Sequence, residues 1–476
     1  MYSLNLLGKI KNIDFLNLNQ NKILIFLCCL IVPLLVTGPF LPDLLLSSLS
    51  LWFLFYVFKN KKYYVFKNNF FYLFLAFCVF CIFSSIMSDE ILLSFESSLF
   101  YFRIGIFCIL IAYLIDQDKD VLKYFFYTLI ITFSILIFYA LIQYSFELNN
   151  HPTRISSFFG DELILGSYLS RLLPLIIGLF FIKVNKTNKE KYFFLISICF
   201  TYFTVFLSGE RAAFFYINLS FLFMFLFIRI KLKWIFLFSI INVAIFYAFI
   251  INTDIITGDR LVNRYTKNVV KDMYLKEVFE KNNNQTSKVQ QQNLKKPKTE
   301  PENQSTSLET KSEFVEKRPE KNVIKNEKKK KFVIFTEGHQ SLYQTALNMF
   351  QDRPIIGHGP KLFRVKCSDP NYAEGVASCM THPHNFYIQL LAETGVIGFS
   401  FLFFLLIYLI FLSIKYFYYA YFKKKKIYSN QHICFLACLL ITIWPFIPNG
   451  NFFNNYLMML YCLPLGFIKK NQSLKY

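Results

Sequence analysis

The chain has 476 residues, of which 55% are apolar, 20% aromatic and only 17% charged. Charged residues make up about a quarter of soluble domains, so this composition excludes an ordinary soluble enzyme. In a soluble chain the net charge of +21 would suggest nucleic-acid binding, but here the basic residues lie between long apolar runs. A helix needs roughly 20 apolar residues to cross a bilayer. The composition therefore predicts an all-α polytopic membrane protein with no nucleic-acid partner.

The apolar runs divide into twelve predicted transmembrane spans. They cover residues 23–41, 44–58, 69–87, 99–115, 121–144, 162–182, 192–208, 212–229, 234–252, 394–414, 433–448 and 452–468. With a cytoplasmic N-terminus, alternation assigns 24 Lys and Arg residues to inner segments and only Arg154 and Arg211 to the short outer loops. The positive-inside rule favours this orientation, which makes both termini cytoplasmic. The first span contains Pro33 and lacks a small-residue cleavage site, so we expect an anchor rather than a removed signal peptide.

The spans give three predicted regions: nine transmembrane helices in 1–252, one large periplasmic loop in 253–393, and three helices in 394–476. Within the loop, residues 281–331 include 21 charged and 7 apolar residues, which predicts a disordered insert. Its run Lys328 to Lys331 could attract anionic headgroups or glycans, or the insert could be a solvated appendage. The motif region 337–393 follows. In it, apolar residues at helical spacing over 340–350 predict a short helix that ends before Pro354.

Cysteine positions separate two environments. Nine of the eleven cysteines fall within predicted spans, where Cys acts as a small apolar residue. Cys367 and Cys379 lie instead in the large outer loop. An oxidising periplasm would permit a disulfide between them, and two free thiols are the alternative.

Two histidines stand at the start of a predicted helix, in Thr381-His382-Pro383-His384-Asn385. Asn385 is a suitable N-cap, which places His384 at the positive end of the helix dipole. That position disfavours the imidazolium ion, so His384 is expected to be neutral and able to act as a general base. The alternative is a capping histidine at a membrane boundary. A metal site on His382 and His384 is not expected, because no Cys or carboxylate cluster stands beside them.

Arginines near the outer boundary form a second group of candidates. Arg211 lies in a turn of about three residues, Ser208-Gly-Glu-Arg211, between spans seven and eight. Arg103 and Arg171 lie inside spans four and six, where a charge lines a cavity or is paired. The candidate partners for pairing are Glu96, Asp161 and Glu162. Further outer-side candidates are Arg154, Arg260 and Arg264. Converging guanidinium groups suit a diphosphate, and structural ion pairs are the alternative.

The span layout and three motifs resemble the O-antigen ligase family. The motifs are Ser208-Gly-Glu-Arg211-Ala, Pro354-Ile-Ile-Gly-His-Gly359, and His382-Pro-His-Asn385 followed by Glu393-Thr-Gly395-Val-Ile-Gly398. The spacing from His384-Asn385 to Gly395 and Gly398 is the specific part. The resemblance covers nearly the whole chain in topology, but in motif only about 208–213 and 337–400. That family shares a superfamily with O-antigen polymerases and protein O-oligosaccharyltransferases.

The resemblance implies glycan transfer from undecaprenyl diphosphate to a hydroxyl, normally of lipid A-core, at the periplasmic face of the bacterial inner membrane. Neither a metal nor a nucleotide cofactor is implied. The family's essential loop histidine maps to His384, and its hairpin arginine maps to Arg211, which would neutralise the diphosphate leaving group. Where the family usually has a second arginine, four residues before an aromatic, this chain has His339. Arg260, Arg264 or a protonated His339 could supply that contact instead.

The remaining candidates are predicted to bind substrate. They are His382, Asn385, His339, Arg260, Arg264 and Arg171. Polymerase or protein-glycosylating activity in the same superfamily is the alternative function. A transporter or flippase, with Arg103 and Arg171 lining a passage, is the alternative from another class, but it accounts poorly for the histidine-rich loop.

Overall fold

The structure, a computed structural model, describes residues 15–148, 154–228, 230–252, 337–375 and 377–468. Arg260, Arg264 and the predicted insert 281–331 lie outside the described residues. Within the described ranges the chain is all-helical and contains no strand. The fifteen α-helices there are α1 Phe15–Leu34, α2 Phe40–Lys59, α3 Asn69–Ile86, α4 Ile91–Ser98, α5 Phe102–Gln117, α6 Asp120–Ser145, α7 Leu165–Ile182, α8 Asn188–Leu207, α9 Arg211–Phe227, α10 Leu232–Asn252, α11 Glu337–Asp352, α12 Phe363–Lys366, α13 Phe386–Phe417, α14 Asn430–Thr442 and α15 Asn455–Cys462.

Seven helical segments of the described chain are long and apolar enough to cross a membrane. They are Phe40–Lys59, Asn69–Ile86, Ile91–Gln117, Asp120–Ser145, Leu165–Ile182, Asn188–Leu207 and Phe386–Phe422. Five shorter apolar helices of 10–17 residues accompany them. The chain is therefore a multi-pass membrane protein, while the count of twelve spans and the side of each loop stay predictions.

One predicted helix start is confirmed and one predicted span boundary is wrong. The helix that leads into the tenth span begins at Phe386, where the Asn385 side chain caps it. The eleventh span was expected to run to residue 448, but α14 ends at Thr442. Pro445 and Pro448 follow, and proline cannot continue a helix. Residues 443–454, which connect α14 to α15, form an irregular segment that we call the 443–454 loop.

The centre of the helix bundle is α7. Of its span, 83% is buried within the protein, against 56% or less for each of the other candidate spans. It packs against α6, α8, α9 and α14. Peripheral helices instead expose large apolar side chains, including Phe138 and Phe404, as a lipid-facing surface does. The helix that carries Arg171, α7, is therefore mostly surrounded by other helices of the protein and has little surface left for lipid or solvent.

A joint divides α13 into two segments, 386–394 and 396–417. Gly395 has φ 62° and ψ −167°, a conformation that essentially only glycine adopts. The loop before α12 supplies the hydrogen bonds that the helix loses: Pro354 O accepts from Val396 N at 2.8 Å, and Gly359 N donates to Glu393 O at 2.8 Å. A Cβ atom on Gly395 would overlap the backbone of Ile355. The loop backbone thus fits into the break in the helix.

An ion-pair clamp attaches the same region to the turn between α3 and α4. Asp89 Oδ1 accepts from Arg353 Nη2 at 2.8 Å, and its Oδ2 accepts from Lys366 Nζ at 2.5 Å. Hydrogen bonds from both cations lower the pKa of Asp89 to about 2. The segment from α11 to α12 is therefore held to the bundle by charged contacts as well as by the joint at Gly395.

The buried arginines do not pair as the sequence suggested. Arg103 Nη2 contacts Asp43 Oδ1 at 2.6 Å, and its Nη1 donates to Ser47 Oγ at 3.0 Å. Its partner is therefore an aspartate of α2 rather than Glu96, Asp161 or Glu162. The reason is topological, because α2 and α5 pack side by side although Asp43 and Arg103 are far apart in the chain.

Candidate functional site

The hairpin between α8 and α9 is a three-residue turn, as predicted. Gly209 has φ 67°, a left-handed conformation that favours glycine. Glu210 is buried and turns back towards the start of α7, where its Oε1 accepts from Gly166 N at 2.7 Å and its Oε2 from Ser167 Oγ at 2.9 Å. A carboxylate stabilises the positive end of a helix. Burial raises the pKa of Glu210, and these hydrogen bonds oppose that rise. Glu210 therefore fixes the hairpin to the central helix.

Arg211 follows Glu210 as the first residue of α9. It is exposed and makes no hydrogen bond or ion pair with any described residue. A cation at a helix N-terminus is not favoured by the helix dipole, whereas an anion there is. The guanidinium and the free N–H groups of the first turn together give this end of α9 a strong preference for a negative ligand.

Three histidines meet at the start of α13. The ring centroids of His382 and His384 are 4.2 Å apart, and those of His339 and His384 are 5.4 Å apart. His339 comes from the first turn of α11, so the cluster joins two segments that are distant in sequence. We call these three residues the histidine cluster.

Partial burial lowers the pKa of all three histidines of the cluster. Desolvation lowers the pKa of His384, and the nearby charge of His339 adds to that effect. The pKa of His382 falls to about 3 for the same reason, with His384 as the second cause. Burial also lowers the pKa of His339. The expectation of a neutral His384 therefore has a physical basis in burial, in addition to the helix dipole.

His384 also has an unusual backbone. Its φ is 57°, in the left-handed region that non-glycine residues seldom adopt. Two hydrogen bonds hold it there: Asn449 N donates to the carbonyl oxygen of His384 at 3.0 Å, and Asn449 Oδ1 accepts from Phe386 N at 3.0 Å. Strained backbone of this kind is retained where the surrounding structure determines the position of a side chain.

Asn385 is the N-cap of α13, which confirms the sequence prediction. Its Oδ1 accepts from Tyr387 N at 2.9 Å and from Ile388 N at 3.2 Å. Its Nδ2 donates to Pro445 O at 2.8 Å, so the 443–454 loop contacts both residues of the His-Asn pair. From the other side, Tyr343 of α11 interacts with the Asn385 side chain.

Beneath Asn385 lies a buried polar network that the sequence analysis missed. Gln389 Nε2 donates to Glu393 Oε2 at 2.9 Å and to Asn451 Oδ1 at 2.8 Å. Glu393 Oε1 accepts from Phe363 N at 3.0 Å. The sequence contained two signals. Gln389 and Glu393 are four residues apart and therefore lie on one helix face, and Asn449-Gly-Asn451 is a polar segment between apolar ones. This network ties α13, α12 and the 443–454 loop together directly below the site.

The disulfide Cys367–Cys379 is present, as the sequence allowed. Cys367 is buried at the end of α12, whereas Cys379 is exposed three residues before His382. Since Phe363 of α12 is bound to Glu393, the disulfide connects the segment before the histidines to the helix that follows them. The His-Pro-His segment is thus attached at both of its ends.

Arg171 occupies a different environment from that of Arg211. It is only 2% exposed, and its Cζ lies 4.4 Å from the ring centroid of Tyr216 and 4.3 Å from that of Tyr461. Its Nε and Nη1 have no hydrogen-bond partner in the described structure. Its predicted pairing with Glu96, Asp161 or Glu162 is not among these contacts.

The structure therefore brings together His339, His382, His384 and Asn385. No contact given for the described residues joins Arg211 or Arg171 directly to this group. Tyr216, which lies against Arg171 and five residues after Arg211 on α9, donates from its hydroxyl to Pro448 O at 3.2 Å. Pro448 adjoins Asn449, which holds His384. Among the described side chains, no three of the His, Cys, Asp and Glu type are placed to hold a metal ion.

Comparison with known proteins adds one match. A family model described as O-Antigen ligase matches residues 193–403, a stretch that contains the hairpin, the histidine cluster and the joint at Gly395. No curated protein matches the chain. The match supports a membrane glycosyltransferase of the O-antigen ligase and polymerase type. It confirms over residues 193–403 the resemblance to the O-antigen ligase family that the motifs indicated.

Proposed function

We propose that the protein transfers a glycan from undecaprenyl diphosphate to a hydroxyl of lipid A-core, without a metal cofactor. The observation that carries this proposal is His384: a histidine kept neutral by burial, in a strained backbone, at the start of a helix within the family-matched segment. A neutral imidazole held in a fixed position is what deprotonation of an acceptor hydroxyl requires.

The proposed reaction is a single displacement. The acceptor oxygen bonds to the anomeric carbon of the glycan while His384 takes the hydroxyl proton. The bond between that carbon and the diphosphate oxygen breaks, and its electron pair stays on the diphosphate. Arg211 stabilises the negative charge that develops there, because its guanidinium is exposed and unoccupied in the described structure.

The other predicted site residues have supporting parts in this proposal. His339, which stands where the resemblance expects an arginine, is near enough to His384 to bind the same substrate, and its lowered pKa makes it a neutral hydrogen-bond donor. His382 and Asn385 shape the pocket around His384. A diphosphate contact from Arg260 or Arg264 and substrate binding by Arg171 stay predictions.

The proposed orientation follows the positive-inside distribution of charge. The histidine cluster and the hairpin then lie at the periplasmic face of the inner membrane, with both termini in the cytoplasm. Residues 1–252 and 394–476 form the membrane regions, and 253–393 forms the periplasmic region between them. A lipid-linked donor and a lipid-linked acceptor can both reach that boundary by diffusion in the membrane.

A reconstituted assay tests the proposal. The protein in liposomes receives an undecaprenyl-diphosphate-linked glycan together with lipid A-core, with a second copy of the donor glycan, or with a peptide that carries serine and threonine. Transfer to lipid A-core, undiminished by EDTA, is the expected result. Transfer only to the donor glycan would show a polymerase, and transfer only to the peptide would show a protein-glycosylating enzyme.

The pH dependence of transfer follows from the lowered pKa of His384. A general base is active when deprotonated, so kcat/KM should already exceed half of its maximum at pH 6.5, where an ordinary histidine with a pKa of about 6.5 is half protonated. The rate should fall only as the pH drops further, through the pKa of His384. The pH profile between 4.5 and 8.5 measures this. A half-maximal rate at or above pH 6.5 would contradict a His384 made less basic by burial.

Reduction of the disulfide should slow transfer. Without Cys367–Cys379, the segment that leads into His382 gains freedom, and misplacement of a catalytic group by about 1 Å can cost up to about 100-fold in rate. We expect kcat to fall about 5- to 50-fold when a membrane-impermeant phosphine reduces the bridge, with a smaller change in donor KM.

The matched control is the double variant Cys367→Ser with Cys379→Ser. It should be as slow as the reduced wild type and should not respond to the phosphine, because the other described cysteines are free. Full activity of this variant would show that the bridge does not position the histidines.

A further inference from the structure

Arg171 is the described buried cation that no carboxylate accompanies among its contacts. A guanidinium is charged at any physiological pH, and charges inside a membrane protein usually pair or line a cavity. Arg103 illustrates the usual solution, since it contacts Asp43 at 2.6 Å. At Arg171 two tyrosine rings enclose the guanidinium instead, at 4.4 and 4.3 Å.

Ring faces stabilise a cation without neutralising it. A planar guanidinium can lie flat on such a ring or direct an N–H group at its face. Through these two ring contacts Arg171 links three helices: α7, which carries it, α9 through Tyr216, and α15 through Tyr461. Glu210, the buried carboxylate of the hairpin, accepts hydrogen bonds from Gly166 N and Ser167 Oγ at the start of α7.

Tyr216 connects Arg171 with both parts of the proposed site. It lies five residues after Arg211 on α9, so a shift of its ring shifts the first turns of that helix. Its hydroxyl binds Pro448 O, next to Asn449, which binds His384. On its other side it is close to Tyr343, whose pKa is raised to about 12 by burial and by the Tyr216 hydroxyl.

We propose that Arg171 is a positioning residue, which acts through the Tyr216 ring to hold Arg211 of α9 in register with the 443–454 loop and His384. This inference rests on the proposed transfer reaction. It differs from the substrate contact predicted for Arg171, because the Arg171 side chain is only 2% exposed and lies against two tyrosine rings.

A double-mutant cycle separates the two roles. Arg171→Lys keeps the charge but loses the planar guanidinium, and Tyr216→Leu removes the ring. If Arg171 acts through the ring, each variant lowers kcat about 10- to 100-fold, and the double variant is no slower than the slower single one. Tyr216→Phe, which keeps the ring but loses the bond to Pro448 O, should fall between wild type and Tyr216→Leu.

The assay uses full-length protein in liposomes, with an undecaprenyl-diphosphate-linked glycan as donor and lipid A-core as acceptor, and it measures kcat and donor KM separately. Arg103→Lys serves as the control for a half-buried arginine outside the site and should stay within about twofold of wild type. The melting temperature of each variant in detergent reports folding. If Arg171→Lys does not fold, the comparison of Tyr216→Phe with Tyr216→Leu still tests the ring.

Effects of Arg171→Lys and Tyr216→Leu that multiply, or an Arg171→Lys variant with raised donor KM and unchanged kcat, would overturn the positioning role. A wild-type protein that transfers glycan to no acceptor would instead overturn the proposed function. The two failures are therefore distinguishable.

Discussion

Replacing His384 by Asn should lower the rate of glycan transfer at least 100-fold and leave a folded, membrane-inserted protein. General-base catalysis contributes about 10²- to 10⁴-fold, and asparagine has no group that accepts the proton. Asparagine is the informative substitution because it tolerates left-handed backbone, and His384 has φ 57°. His384→Ala should abolish transfer as well, but alanine is found in left-handed backbone less often than asparagine. The measurement is initial rate in liposomes at saturating donor and acceptor.

The matched control is His382→Asn. His382 lies beside His384 in the same segment, but its pKa of about 3 makes it a poor proton acceptor. We expect its loss to slow transfer less than tenfold. Retained transfer by His384→Asn would remove the general-base assignment. Equal losses of rate in the two variants would indicate that both histidines have a structural role instead.

Replacing Arg211 by Lys should lower kcat strongly, by about 10²-fold. The substitution keeps the positive charge but loses the planar fork that binds two phosphate oxygens at once. Removing one stabilising donor from a developing negative charge typically costs about 10²- to 10³-fold in kcat. Arg211→Ala should be slower still. Rates at several donor concentrations separate kcat from donor KM.

Arg154→Lys is the control for Arg211→Lys. Arg154 was also a candidate at the outer boundary, but its Nη2 donates to Leu163 O at 2.9 Å, so it serves the local backbone. We expect transfer within about threefold of wild type. An Arg211→Lys variant that binds donor and turns over like wild type would exclude Arg211 from the diphosphate site.

Local patterns allowed the correct parts of the sequence prediction. The short Ser-Gly-Glu-Arg turn, the Asn385 cap and the end of α11 at Asp352 each depend on residues within a few positions of one another. The Cys367–Cys379 disulfide joins the two cysteines that lie outside the predicted spans, so they were the natural candidates for a pair. Backbone preference and capping decide such features, and both are readable from the sequence.

The parts that failed depend on contacts between distant segments. No spacing rule places His339 beside His384, or Asp43 beside Arg103, because the packing of the helices makes those pairs. Residues 443–448 and 452–454 were predicted within spans eleven and twelve, because their apolar character outweighed the signal of Pro445 and Pro448. The contacts of Arg171 with two rings could not be predicted either, because nothing in the sequence distinguishes Tyr216 and Tyr461 from the many other aromatic residues.

The joint at Gly395 should link the conservation of two glycines, Gly357 and Gly395. Gly357 packs so closely on the backbone of Glu393 and Thr394 that a Cβ atom would overlap it, just as one on Gly395 would overlap Ile355. The Pro-Ile-Ile-Gly-His-Gly and Glu-Thr-Gly motifs therefore pack against each other, backbone on backbone, and each needs its glycine for that contact. We expect descendants of this chain to keep or lose the two glycines as a pair, because either motif alone leaves unsatisfied backbone groups near the bilayer. A homologue could retain these backbone contacts after losing His384 and Arg211, and would then share the architecture of this chain without the proposed transfer activity.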